Sequence, residues 1–159
     1  MRPGNNDAIQ PVKLAIGLER LHRDARDKGG KEFAKLLEWS RDKARGELSA
    51  LLQNRTICPY VVLQRAALAG TPMVAKLAVQ HLGSCPVAPA TRFRSGDKGE
   101  KKALCEALAE LAQEFSLDEK RALVQSFVGD DLKAISAEVA ADDRLRQVIA
   151  RRQRQVPPQ

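Results

Sequence analysis

Aromatic residues are scarce: one Trp, one Tyr and four Phe make up 4% of the 159-residue chain. Sheets draw on aromatic and β-branched side chains, whereas the apolar positions here are filled mainly by Ala and Leu, so significant sheet is excluded and helices are favoured. Long apolar runs are missing as well. Nothing approaches the roughly 20 residues that span a bilayer, and the N-terminus lacks the apolar stretch of a secretory signal, so no membrane span and a cytoplasmic location are expected. The three cysteines, Cys58, Cys85 and Cys105, are too few and too scattered for a disulfide framework. They read as reduced, packed thiols.

Catalytic signatures are also lacking. The chain has no Gly-x-Ser-x-Gly, no Walker A loop, no Gly-x-Gly-x-x-Gly and no His-Glu-x-x-His. No catalytic residue, cofactor or metal is assigned, and the protein is expected not to be an enzyme. His81, Cys85 and Cys58 offer one close-spaced ligand pair, but structural zinc takes four ligands, usually as two such pairs. A cysteine nucleophile paired with His22 or His81 has no local signature and no identifiable orienting group. The stretch SGDKGEKK over residues 95–102 resembles a phosphate-cradling loop entering a helix. It lacks the Gly-Lys-Ser/Thr ending, and Asp97 and Glu100 would repel phosphate, so it reads as a solvated linker.

What the chain does have is helical periodicity and punctuation. Residues 1–10, with Pro, Gly and two Asn, read as a disordered leader, and Pro11 fits the first position of a helix. Leu14, Leu18, Leu21 and Ala25 then form a four-three-four stripe predicted to face the core, ended by Gly29-Gly30. A second stripe, Phe33, Leu36, Leu37, Ser40, Ala44, Leu48, Leu51 and Leu52, runs to Gln53, with Trp39 at its rim. Together they predict an antiparallel α-hairpin. Pro59 and Thr71-Pro72 open two short helices separated by Gly70. These carry only Arg65 and Lys76 as charges, which predicts the centre of the core. Residues 83–99 are rich in Pro, Gly and Ser and read as a flexible loop between two lobes, 11–82 and 100–153. Leu104, Leu108, Leu111 and Phe115 follow, then the capping box Ser116 to Glu119, a helix through Leu123 and Phe127, one through Leu132 to Val139, and one through Leu145 to Ile149. Residues 154–159 read as a disordered tail. The predicted fold is all-α, a compact bundle or orthogonal array of about eight helices.

Lys and Arg number 27 against 20 Asp and Glu, a net charge of +7. The excess is uneven: residues 103–141 hold 3 basic and 8 acidic groups, whereas residues 92–102 and 142–159 hold 5 and 2 each. The expected contact surface is therefore basic: Arg92, Phe93, Arg94, Lys98, Lys101 and Lys102 in the loop, with Arg144, Arg146, Arg151, Arg152 and Arg154 on the last helix. Such groups suit phosphate and carboxylate alike. The helix, Gly turn and helix over residues 62–82 resemble a DNA-reading unit only superficially. Pro72, Met73 and Ala75 offer no donors for base edges. The first expectation is a small basic regulatory or accessory protein that contacts nucleic-acid backbone. The alternative is a helical interaction module, such as an adaptor, inhibitor or delivered effector, docking on a protein partner. The oligomeric state is left open.

Overall fold

The structure, a computed structural model, describes residues 3–84 and 98–127, with side chains described over 9–83 and 102–127. Among these residues the fold is all-helical and contains no strand: α1 Pro3–Asp27, α2 Lys31–Gln53, α3 Pro59–Ala69, α4 Pro72–Val79, a 3-10 turn at Leu82–Ser84, α5 Lys98–Ala112 and α6 Leu117–Gln125. Six helices stand where eight were expected. The seventh and eighth, over residues 132–139 and 145–149, and the tail 154–159 lie outside the described residues.

Two boundaries differ from the sequence expectation. The first helix begins at Pro3 instead of Pro11, which lies inside it. Both prolines obey the same rule, since a missing N–H is harmless in a first turn; the helix takes the earlier one and forgoes one backbone bond at Pro11. The fifth helix begins at Lys98, before the end of the expected loop.

Elsewhere the punctuation works as read. Gly29 turns with φ +82°, and the Gly30 N–H closes the end of α1 on the Ala25 carbonyl at 2.7 Å. Gly70 ends α3 in the left-handed region that glycine tolerates best, φ +71°. At the start of α6 the Ser116 hydroxyl accepts from the Glu119 N–H at 3.2 Å, and the Glu119 carboxylate accepts from the Ser116 N–H at 2.8 Å, completing the capping box.

The two charge-poor helices occupy the centre. Tyr60, Val62, Leu63 and Ala66 of α3 and Val74, Ala75 and Ala78 of α4 are all fully buried. They share one apolar cluster with Val12 and Ala15 of α1, Leu48 and Leu52 of α2, Leu104 and Leu108 of α5, and Leu123 and Val124 of α6. Helices on both sides of residues 85–97 thus contribute to a single core. No helix among the described residues is long and apolar enough to cross a membrane.

One contact fixes the hairpin of α1 and α2 against that centre. Thr71 stands at the N-cap of α4, but its hydroxyl makes no capping bond and donates to the Ala66 carbonyl at 3.4 Å. The cap comes from another helix. Glu19 of α1, fully buried, accepts the N–H groups of Met73 and Val74 at 3.0 Å each, two of the donors that the first turn of α4 cannot satisfy internally. Burial pushes the Glu19 carboxyl above its ordinary range, opposed by those two bonds and by the positive charges of Arg23 and Arg45.

Candidate functional site: the outward face of the hairpin

The predicted stripe of α1 is not the buried one. The helix buries Val12, Ala15, Glu19 and His22, while Leu14 and Leu21 are 53% and 52% exposed. On α2 the buried residues are Ala34, Ala44, Leu48 and Leu52, while Phe33, Leu36 and Trp39 are 53%, 75% and 69% exposed. Leu18, Ala25 and Leu37 are half-buried beside them.

Leu14, Leu21, Phe33 and Leu36 fall on one face, with Trp39 at its α2 edge, as contacts within the hairpin indicate. On α1, Glu19 points to α4 and His22 points to α2. Arg41 donates from Nη1 to His22 Nδ1 at 3.1 Å, and Glu38 Oε1 lies 3.6 Å from His22 Nε2. Turning further in the same sense at 100° per residue passes Leu18, which still packs against the core, and brings Leu14 and Leu21 outward. On α2, Arg45 reaches Met73 of α4 at 3.8 Å, and Arg41 reaches His22 on α1. The same sense of rotation then brings Phe33, Ser40 and Leu36 outward. Because the two helices run antiparallel, both stripes emerge on the side of the hairpin away from α4.

The exposed portions of Leu14, Leu21, Phe33, Leu36 and Trp39 amount to on the order of 500 Å² of apolar side chain, taking about 150 Å² for a whole Leu side chain and 200–250 Å² for an aromatic one. The largest patch on a typical monomer is about 300–600 Å² and is often functional. Charge around it is mixed. The Lys43 ammonium sits 5.0 Å from the centre of the Trp39 ring, a cation–π contact. Asp42, bonded first to Arg45 and then to Arg41, has its carboxyl held below the usual range. Next to this patch, and sharing Leu21 with it, an open groove is lined by Arg20, Arg23, Asp24 and Asp27 and closed by Ala69 and Gly70. Its two arginines and two aspartates give no preference for an anion.

Of the basic residues expected to form the contact surface, three lie in described helices. Lys98 opens α5, Lys101 lies within it, and Lys102 is exposed on it. Arg92, Phe93, Arg94, Arg144, Arg146, Arg151, Arg152 and Arg154 lie outside the described residues. In the segment resembling a DNA-reading unit, Pro72 and Ala75 are buried, which removes the N-terminus of α4 from any groove of a duplex. Cys58 stands at the start of α3 and Cys105 in the core, while Cys85 lies outside the described residues. Among the described residues no three His, Cys, Asp or Glu side chains gather as metal ligands.

Among the described residues the fold is all-helical, with an exposed apolar surface on the α1–α2 hairpin. Comparison with protein-family models, with curated proteins and with solved structures gives no match.

Proposed function

We propose that the protein is a non-catalytic helical interaction module that docks the outward face of α1 and α2 on a protein partner. The supporting observation is the set of five large apolar side chains, Leu14, Leu21, Phe33, Leu36 and Trp39, each more than half exposed on one hairpin. Singly, such residues are ordinary on a surface; together on one hairpin, two aromatics among them, they resemble the apolar and aromatic anchors of interfaces. The test is capture of partners from native extract by the full chain and by a Leu21→Glu/Leu36→Glu variant, each with and without nuclease. Protein partners that survive nuclease and are lost with the variant support the reading. Partners unaffected by the variant overturn it.

Contact with nucleic-acid backbone is the second reading, supported by the net charge of +7 and by exposed Lys102. It requires binding that falls steeply with salt, because each neutralised phosphate releases counterions. Binding that is absent at low ionic strength, or insensitive to salt, removes it.

A further inference from the structure

We infer that the partner for which the outward face of α1 and α2 is shaped is a second copy of this chain, so that two hairpins pair into a four-helix arrangement. The inference rests on reading that face as a docking surface and adds the identity of its occupant. An α-hairpin buried on one side and apolar on the other is geometrically half of a four-helix bundle. Two such faces together bring on the order of 1,000 Å² of apolar surface out of water before the polar rim is included, which reaches the size at which a specific interface becomes stable.

The charge pattern favours a copy over an unrelated protein. Glu32, Leu36, Trp39 and Lys43 lie at four-three-four spacing along α2 and form one outward stripe. All four are exposed. Two copies of that stripe laid antiparallel place Glu32 of each opposite Lys43 of the other, on either side of a centre where Leu36 meets Trp39. The stripe is thus complementary to itself in charge and in apolar content, which is what a two-fold interface needs. An acidic partner would meet Glu32 unpaired, and a basic one would meet Lys43. The excess of positive charge on the whole chain opposes self-association, but as a screened, long-range effect that salt weakens.

Sedimentation velocity of the full chain over a concentration series, at low and high salt, provides the test. The expected result is a shift from one to two monomer masses with rising concentration, retained or strengthened at high salt. Leu21→Glu/Leu36→Glu should weaken dimerisation by about 100-fold or more. Circular dichroism and melting close to those of the parent would show that this exposed pair is not needed for the fold. Glu32→Lys should also weaken the dimer, and adding Lys43→Glu should restore it. A chain that stays monomeric at several hundred micromolar, a dimer that survives the double variant, or a charge swap that fails to restore association would overturn the inference. A monomer that still captures a nuclease-resistant protein partner through this face leaves the docking reading standing and removes only the copy as its occupant. A monomer that captures nothing removes both.

Discussion

Replacing Glu19 by Ala should cost more than replacing any other charged residue among the described ones. The carboxylate is fully buried and receives the Met73 and Val74 N–H groups at 3.0 Å. Its removal strands two backbone donors at the start of α4, each worth about 1–3 kcal/mol when left buried and unpaired. Val74 is fully buried, but Met73 is only partly so and regains some water, which places the sum at about 2–4 kcal/mol. For a chain of this size each kcal/mol lowers the melting temperature by about 2–4 °C. Glu19→Gln keeps the shape and one acceptor oxygen, so about half the loss is expected. The pH dependence carries a second signature. Burial raises the folded carboxyl above its reference value of 4.5, so the folded state binds this proton more tightly than the unfolded chain does. The resulting contribution is fully present below the unfolded value and is lost as pH rises through the raised folded value. The stability difference between the parent and Glu19→Gln should therefore be larger in mild acid than at neutral pH. Thermal and urea unfolding of the three proteins across that range checks both points. A Glu19→Ala variant within about 0.5 kcal/mol of the parent, as for a typical surface change, would refute the view that α1 caps α4.

Other expectations concern single positions. A Cβ at Gly46 meets nothing within 4 Å, so Gly46→Ala should stabilise α2 by about 0.5–1 kcal/mol, read as a raised urea midpoint. Gly70→Ala should do the opposite by about 1 kcal/mol, because φ +71° there strains any other residue. Ser116→Ala should cost about 0.5–2 kcal/mol by loss of the capping box, measured by the same unfolding. Leu48→Ala, at a fully buried site between the hairpin and the core, should cost about 2–5 kcal/mol.

Most of the fold was legible because its boundaries are set by local chemistry. Gly29-Gly30, Pro59, Gly70, Pro72 and the Ser116 to Glu119 pair act within a few residues of themselves, and composition alone marked α3 and α4 as central. The orientation of α1 was not legible. Its apolar periodicity is strongest at Leu14, Leu18 and Leu21, whereas the buried face consists of small Val12 and Ala15 followed by Glu19 and His22. A polar side chain counts as buried only once its partner is known, and the partners of Glu19 lie 54 and 55 residues away on α4. The same displacement concealed the candidate site. A leucine stripe reads as core, and only the presence of a second, buried stripe turns it into a surface. The one available signal was an excess of apolar residues on α1 and α2 beyond what a single face of each helix can hold.

Trp39, the sole tryptophan, stands beside Leu36 on the exposed side of α2 and is 69% exposed, so its fluorescence reports on that side of the hairpin. Emission and acrylamide quenching of the full chain, followed from about 0.1 µM to several hundred µM, should change from water-exposed to blue-shifted and protected as copies associate by mass action. The Leu21→Glu/Leu36→Glu variant should remain water-exposed throughout. Emission of the parent that stays red-shifted and freely quenched at every concentration would contradict the claim that a second copy covers this face.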